Sequence, residues 1–157
     1  MEHPKDKGDR TTLAVMLALR EGGYSVLVPF GENTRYDLVI DDGEKLAKVQ
    51  CKTGRLRQGA VKWSVCSNYG HHRNPRVRHR DYHGDIDFFA VYCRETGRVY
   101  LIPIRDVPLR REGTLRVTSP RNNQRKYIRF AAPYEIGRVL LDAPDFRGLR
   151  RVNEIVA

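Results

Sequence analysis

The sequence predicts an α+β domain in which one leading helix is followed by a series of β-strands. Three observations support this: a helical hydrophobic stretch comes first, a three-strand meander follows, and further short strands continue beyond it. Hydrophobic residues make up 40% of the 157 residues, which is enough apolar material for a core. We therefore expect a single domain over residues 1–157, with residues 105–157 as a candidate elaboration of it.

The predicted helix covers about residues 7–20. Its apolar residues occupy most of the circumference, which predicts a largely buried helix, and they are Leu13, Val15, Met16, Leu17 and Leu19. Gly22 and Gly23 end it, because glycine readily adopts the left-handed conformation that terminates helices. Asp9 lies in the predicted first turn, where an acidic residue suits the helix dipole.

The meander comprises predicted strands at residues 24–30, 36–41 and 46–52. Asp42-Gly43 is a strong hairpin turn between the second and third strands. Because side chains alternate along a strand, Lys48, Gln50 and Lys52 share one face of the third strand. The hairpin thus brings Asp37, at the start of one strand, toward the Gln50-x-Lys52 pair at the end of the next.

The remaining elements are shorter and separated by polar segments. We expect a strand at residues 60–66, a long basic loop at 68–80, and a hairpin formed by 86–93 and 98–104. Short strands are predicted at 115–118 and 126–130 around a polar turn, and a short helix at 135–141.

The charge distribution predicts a polyanionic partner. Lys and Arg number 29 against 19 Asp and Glu, which gives a formal net charge of +10. Residues 53–80 contain no acidic residue, and a second basic stretch covers residues 110–129. We predict that these segments contact DNA phosphates, which makes residues 105–157 a candidate DNA-binding elaboration. The alternative is a basic protein with solvated arginines. The candidate DNA-binding residues are Arg55, Arg57, Lys62, Arg73, Arg76, Arg78, Arg80, Arg121, Asn123, Gln124, Arg125 and Lys126.

Two of these residues have a second interpretation. Asn123 and Gln124, next to Asn122, have the amide groups that read adenine edges in the major groove. The same segment is also typical of a simple polar turn, and the sequence favours that interpretation.

Composition indicates the compartment. No apolar run approaches the roughly 18 residues of a membrane span, and the N-terminal residues lack the apolar core of a secretion signal. The three cysteines are widely spaced and odd in number, which argues against a disulfide framework. We therefore expect a cytoplasmic, nucleoid-associated protein with no membrane partner.

The ordered combination of motifs resembles a known superfamily. The leading helix with Lys7-Gly8-Asp9, the segment Gly23-Tyr24-x-Val26 and the Asp37…Gln50-x-Lys52 hairpin occur in that order. Over roughly residues 4–92 the chain resembles the PD-(D/E)xK nuclease superfamily, and more narrowly its branch of small group I intron homing endonucleases and Holliday-junction-resolvase-like enzymes. Tyr36 replaces the motif proline, and Gln50 replaces the usual acidic residue, as in the intron-endonuclease branch.

The resemblance implies a restriction-endonuclease-like core of αβββαβ type, with a mixed β-sheet, an N-terminal helix and additional C-terminal strands. It implies a Mg²⁺-dependent DNA endonuclease, with Mn²⁺ as an alternative ion. The implied metal ligands are the Asp37 carboxylate, the Gln50 side-chain oxygen, the Cys51 main-chain carbonyl and Asp9. The implied catalytic residues are Asp37, Gln50, Lys52 and Asp9, with Lys52 orienting and helping to deprotonate the attacking water.

Two further expectations follow from the resemblance. Small nucleases of this kind cut one strand per active site, so a homo-oligomer, either a dimer or a tetramer, is expected. The alternative function is a non-catalytic DNA-binding module on a nuclease scaffold, because Gln50 removes one carboxylate from the site.

Overall fold

The computed structural model of the protein describes residues 3–31, 33–69, 78–109 and 111–138. Its one α-helix in these ranges, α1, covers Pro4–Glu21. The helix begins three residues before the predicted start because Pro4 lies in its first turn, where a missing backbone N–H costs nothing. It ends at Gly22, and Gly23 follows with φ of 89°, as the glycine pair predicts.

One side of α1 packs on the sheet and the other is exposed. The buried residues recur at spacings of three and four along the helix, and they are Thr11, Ala14, Val15, Ala18 and Leu19. Leu13 is 61% exposed and Leu17 is also exposed. The prediction of a largely buried helix is therefore wrong, because the sheet covers one side of α1 only.

In the described ranges, ten strands follow the helix. They are β1 Ser25–Leu27, β2 Leu38–Asp41, β3 Leu46–Arg57, β4 Ala60–Ser64, β5 Cys66–Tyr69, β6 Arg78–Asp81, β7 Phe88–Cys93, β8 Arg98–Pro103, β9 Glu112–Arg116 and β10 Glu135–Arg138. Short 3-10 turns lie at Ile104–Asp106 and Ala132–Tyr134. The order of one helix followed by many strands confirms the α+β prediction.

Most strands form one mixed sheet with the order β1-β2-β3-β7-β8-β10. The pair β3 and β7 is parallel, and the other pairs of this path are antiparallel. β4 branches from β3 and pairs with β9, while β5 and β6 form a separate two-stranded ribbon. The described residues that connect β3 to β7 therefore include the strands β4, β5 and β6.

β3 pairs with different neighbouring strands along its length. Its segment from Val49 to Gly54 pairs with β7, and its last three residues, Arg55 to Arg57, pair with β4. At the transition, a Cβ atom on Gly54 would lie 2.7 Å from methyl groups of both Val61 and Val91. The absence of a side chain at Gly54 therefore allows two neighbouring strands to approach β3 closely. We call β4, β9 and the end of β3 the basic arm.

The sheet separates two apolar clusters. The cluster under α1 contains Ala14, Val15, Ala18, Leu19, Leu38, Ile40, Val49, Cys51, Ala90, Tyr92, Val99 and Leu101. The cluster on the other face contains Val61, Trp63, Val65, Tyr82, Ile86, Phe89, Val91, Cys93, Tyr100, Ile102, Val107, Leu115 and Ala131. Alternate residues of β7 contribute to opposite clusters, so this central strand is buried on both faces.

Several predicted elements differ from the structure. Strand 24–30 is shortened to Ser25–Leu27 and strand 115–118 is replaced by Glu112–Arg116. Residues 126–130 form no strand beyond a bridge at Phe130, and the predicted helix at 135–141 is instead strand β10 over its described part. β10 forms because its backbone pairs with the edge of β8, a tertiary contact that overrides local pattern.

The predicted loop at 68–80 begins and ends in strands, since Cys66–Tyr69 pairs with Arg78–Asp81. Two of the predicted DNA-binding residues, Arg73 and Arg76, lie outside the described residues. The same holds for residues 139–141 of the predicted C-terminal helix. Within the described ranges, the helices are too short or too polar to cross a lipid bilayer.

Candidate active site

Asp37 is held by two backbone contacts with β3. Its backbone N–H donates to the Val49 carbonyl at 2.9 Å, and its Oδ2 atom accepts a hydrogen bond from the Cys51 N–H, also at 2.9 Å. The residue directly precedes β2 and is half-buried. The hairpin therefore fixes both the backbone and the carboxylate of Asp37 against β3.

The electrostatic environment of Asp37 has two opposing parts. Burial raises the pKa of the Asp37 carboxyl, while the Cys51 hydrogen bond and the positive charge of Lys52 act to lower it. Burial, followed by the negative charge of Asp37, raises the pKa of the Cys51 thiol. These effects place Asp37 within electrostatic reach of both Lys52 and the Cys51 thiol, in a site with limited access to water.

Gln50 and Lys52 lie on the face of β3 opposite α1. They pair in register with Phe89 and Val91, both members of the cluster on that face, whereas Cys51 pairs with Ala90 of the cluster under α1. Gln50 and Lys52 are both half-buried. The predicted alternation along β3 is confirmed.

Lys52 contacts an aromatic residue far away in sequence. Its Nζ atom donates to the Tyr82 hydroxyl at 3.3 Å and lies 4.9 Å from the centroid of the Tyr82 ring. The same ring has the Arg35 guanidinium carbon 4.2 Å from its centroid. Tyr82 is 5% exposed, so the cationic groups of Lys52 and Arg35 both contact one buried aromatic ring.

The oxygen atoms around Asp37 fit a hard divalent cation. Asp37 supplies a carboxylate, Cys51 a main-chain carbonyl, and Gln50 an amide oxygen, and oxygen ligands of this kind suit Mg²⁺. The Gln50 Nε2 atom lies 3.5 Å from the Cys51 carbonyl, so rotating the amide by half a turn would direct its oxygen there instead. The donor set thus has one charged ligand and two neutral ones.

The single carboxylate has a consequence for affinity. Among the described residues, no group of three or more His, Cys, Asp or Glu side chains is arranged to hold a metal. The negative charge of Asp37 is also offset by the nearby ammonium of Lys52. Fewer charged ligands weaken binding of a divalent cation, so these groups alone would bind one weakly.

The structure does not bring Asp9 into this group. Asp9 is exposed and lies about 160° around α1 from Thr11, at 100° per residue. The helix face toward β3 has hydroxyl groups instead: Thr11 Oγ1 lies 2.6 Å from Thr53 Oγ1. The helix thus faces the sheet with Thr11, and the expectation that Asp9 binds the metal stays a prediction.

The residues predicted to bind DNA fall in three regions, of which two are described in full and the third in part. Arg55, Arg57 and Lys62 lie on the basic arm, where Arg55 pairs with Lys62 and Arg57 with Ala60. Since directly paired residues share a face, these three cations lie on one surface.

A groove of about 760 Å³ lies on this surface of the arm. Its basic lining residues are Arg57, Lys62, Arg105, Arg116 and Arg129, against the acidic Asp106 and Glu112. Lys62 pairs with Glu112 at 3.3 Å, and Arg116 donates to the carbonyls of Gln58 and Thr118, both at 2.9 Å. Arg57 is exposed, so its guanidinium group is accessible at the groove.

The second described region is the turn at residues 121–126. Arg121, Asn123, Gln124, Arg125 and Lys126 are exposed there. Asn122 Nδ2 donates to Gln124 Oε1 at 3.2 Å, and the Gln124 N–H donates to Asn122 Oδ1 at the same distance. These contacts favour the polar-turn interpretation of the amide cluster.

The basic ribbon is described only in part. Arg80, at the end of β6, pairs with Asp85 at 3.4 Å. Arg78 lies in β6, and Arg73 and Arg76 lie outside the described residues.

Sequence reasoning missed Tyr82 and Arg35. Neither residue belongs to a motif, and their contacts join segments that are tens of residues apart in sequence.

Comparison with known proteins gives a consistent result. The family model described as PD-(D/E)XK endonuclease matches residues 2–137. Among solved structures, the bacterial homing endonuclease I-Ssp6803I matches with a TM-score of 0.69 and 28% sequence identity, over 85% of this chain and 89% of that one. The comparison with curated proteins gave no match.

Proposed function

Because the chain belongs to the PD-(D/E)XK endonuclease family, we propose that it is a metal-dependent DNA endonuclease. The family and the restriction-endonuclease-like fold predicted from the sequence are confirmed. The DNA substrate, the dependence on Mg²⁺ or Mn²⁺ and the identity of the reacting residues belong to the proposal.

One observation carries the proposal: the Asp37 carboxylate is hydrogen-bonded to the amide of Cys51, between the two residues Gln50 and Lys52. This contact supports the proposal because it holds the Asp37 carboxylate against the strand segment that contains Gln50 and Lys52. Hydrolysis of a phosphodiester needs this combination, since positive charge must neutralise the phosphate while a water molecule is oriented for attack.

We assign the following parts to the residues of this chain. Lys52 orients the attacking water and stabilises the charge that develops on the phosphate. Water forms a bond to phosphorus as the bond to the 3′ oxygen breaks, which leaves a 5′-phosphate and a 3′-hydroxyl. The proton lost by water passes to solvent, and the leaving oxygen takes up a proton.

Asp37, Gln50 and the Cys51 carbonyl would hold the divalent cation. When bound, the cation supplies Lewis-acid stabilisation of the phosphate oxygens. Because Asp37 is the only carboxylate of this set and Lys52 lies nearby, affinity for the cation is low without substrate. A phosphate oxygen of DNA adds a charged ligand, so cation and DNA bind cooperatively.

The basic arm offers a second cationic surface to the duplex. Arg57 lies five residues beyond Lys52 on β3, about 17 Å along the strand. Because side chains alternate along a strand, Arg57 and Lys52 point to opposite faces of β3. We propose that the arm groove contacts the DNA backbone away from the scissile phosphate.

We propose a homo-oligomer, either a dimer or a tetramer. One such site cuts one strand at a time, so cleavage of both strands requires a second copy. Sedimentation at several protein concentrations, with and without DNA, tests this. A strictly monomeric protein that cuts both strands would contradict it.

The direct test uses supercoiled plasmid incubated with Mg²⁺ or Mn²⁺, and with EDTA in parallel. We expect the native protein to convert the plasmid to nicked and linear forms only when the metal is present. Asp37→Ala should lose this cleavage but still bind DNA. Full cleavage by Asp37→Ala would reject the site. Asp41→Ala, at the far end of β2, is the matched control and should remain active.

A second candidate function is a DNA-binding module without activity. Two observations favour it: Gln50 is neutral where an acidic ligand is usual, and Asp9 is exposed on α1. Salt-sensitive retardation of DNA with no nicking by either metal would support this candidate over the enzyme.

A further inference from the structure

We propose that Tyr82 is a positioning residue that holds the ammonium group of Lys52 in the reactive site, with Arg35 fixing Tyr82 in turn. This inference rests on the proposed function, because Lys52 is the residue assigned to the attacking water. It concerns three side chains that β3, the segment before β2 and the segment after β6 bring together.

Lys52 has two separate contacts with Tyr82. Its Nζ atom donates to the Tyr82 hydroxyl at 3.3 Å, and the ring centroid lies 4.9 Å away. A lysine ammonium is a compact charge on a flexible four-carbon chain. Contacts at both the hydroxyl and the ring restrict that chain to a small set of rotamers, so the ammonium is positioned before substrate arrives.

Tyr82 is itself rigidly supported. Its ring packs edge-on against Phe89, with centroids 5.5 Å apart and ring planes at 82°. Its carbonyl accepts hydrogen bonds from the backbones of Asp85 at 3.0 Å and Ile86 at 3.3 Å. With the side chain 5% exposed, Tyr82 is a fixed point against which Lys52 can be oriented.

Arg35 connects Tyr82 to the β5–β6 ribbon. Its Nε donates to Asp85 Oδ2 at 3.0 Å, one terminal nitrogen donates to Ser67 Oγ at 2.6 Å, and the other to the Asp81 carbonyl at 2.6 Å. These contacts keep the guanidinium over the Tyr82 ring at 4.2 Å. The position of Lys52 therefore depends on residues of both ribbon strands, through Arg35 and Tyr82.

The hydroxyl of Tyr82 gives the sharpest test. Tyr82→Phe removes the acceptor of the Lys52 hydrogen bond but keeps the ring and its packing on Phe89. The matched control is Tyr100→Phe, which removes a buried hydroxyl that bonds Thr96 at 3.2 Å in the same cluster. Thermal melting of both variants shows whether each retains the native fold.

The first measurement gives the chemical reactivity of the Lys52 amine and needs no nuclease activity. Trace acetylation with acetic anhydride, followed by digestion and mass spectrometry, gives the reactivity of Lys52 relative to the exposed Lys48 of the same strand. We expect Lys52 to react more slowly than Lys48 in the native protein, and this protection to fall about threefold or more in Tyr82→Phe but not in Tyr100→Phe. Unchanged protection in Tyr82→Phe would overturn the proposal.

The second measurement is single-turnover cleavage of plasmid at saturating protein with Mg²⁺. We expect Tyr82→Phe to lower the rate constant by about tenfold, with DNA affinity in Ca²⁺ unchanged within about twofold. An unchanged rate constant, with the Lys52 protection lost, would reject the positioning role. If the native protein cuts no DNA, the proposed function fails, while the acetylation result still decides whether Tyr82 holds Lys52.

Discussion

The Asp37 carboxylate accepts a hydrogen bond from the backbone amide of Cys51 at 2.9 Å, although the two residues are 14 positions apart in the chain. The donor lies between Gln50 and Lys52 on β3. A shift of β2 relative to β3 would therefore separate the carboxylate from both side chains at once. The geometry of the candidate site is thus a property of the hairpin register, which burial of Leu38 and Val49 under α1 maintains.

Replacing Lys52 with alanine should remove most of the cleavage activity. The loss of a positioned group that stabilises developing charge typically costs about 10²–10³-fold in rate, and DNA binding should remain measurable. The matched control is Lys48→Ala on the same face of β3, whose side chain is exposed and lies toward Tyr36. Equal losses in both variants, measured by single-turnover cleavage, would mean that Lys52 is only one more cation for DNA.

Gln50→Glu should tighten binding of a divalent cation. The substitution adds a second carboxylate at a site where Asp37 is the single charged ligand, so we expect affinity for Mg²⁺ or Mn²⁺ to rise about tenfold or more. Isothermal titration of the metal into protein without DNA measures this. The same affinity in the native protein and in Gln50→Glu would exclude Gln50 from the ligand set.

Asp37→Asn should stabilise the metal-free protein at neutral pH. Burial raises the pKa of Asp37, so the folded state favours the protonated form, and this contribution to stability is lost as pH rises through that pKa. Asparagine cannot ionise and still accepts from the Cys51 amide. We expect Asp37→Asn to melt at a higher temperature than the native protein at pH 7, with the difference shrinking toward pH 4.

Asp42→Asn is the matched control, and its expected change in melting temperature has the opposite sign. Hydrogen bonds from the backbones of Lys45 and Glu44 lower the pKa of Asp42, so its charge contributes stability that is lost as pH falls. Asp42→Asn should therefore melt at or below the native temperature at pH 7, with the difference vanishing at acidic pH. Melting curves with the two variants shifted in the same direction would contradict the assignment for Asp37.

Gly54→Ala should destabilise the fold. The added methyl group would lie 2.7 Å from both Val61 and Val91, and overpacking of this kind costs about 1–3 kcal/mol. Gly8→Ala, on the exposed surface of α1 with nothing within 4 Å of its new methyl group, should instead stabilise the protein by about 0.5–1 kcal/mol. Urea denaturation of the two variants measures both free energies, and a stable Gly54→Ala would show that β3 and its neighbours are less closely packed.

Arg57→Gln should reduce the salt dependence of DNA binding. If Arg57 neutralises one phosphate at the arm groove, the slope of log K against log salt should fall by about 0.9. Arg20→Gln is the control, because Arg20 lies in the last turn of α1, does not line the arm groove, and donates to the Tyr24 carbonyl. Equal slopes for native protein and Arg57→Gln would remove this residue from the DNA contact surface.

Patterns between neighbours in sequence were sufficient to predict much of the fold. Alternation along β3 placed Gln50 and Lys52 together, and Asp42-Gly43 placed the turn that returns β3 to β2. Charge composition indicated a basic surface without locating its groove.

The sequence by itself determined the leading helix, the β2–β3 hairpin and the residues it carries, because these depend on side-chain periodicity and on a turn of a few residues. Only the tertiary structure decided which helix side faces the sheet at Thr11, how β3 passes from β7 to β4 at Gly54, and that Tyr82 meets Lys52. Those contacts join segments that are distant along the chain, and their positions follow from how the two clusters pack on the sheet as a whole.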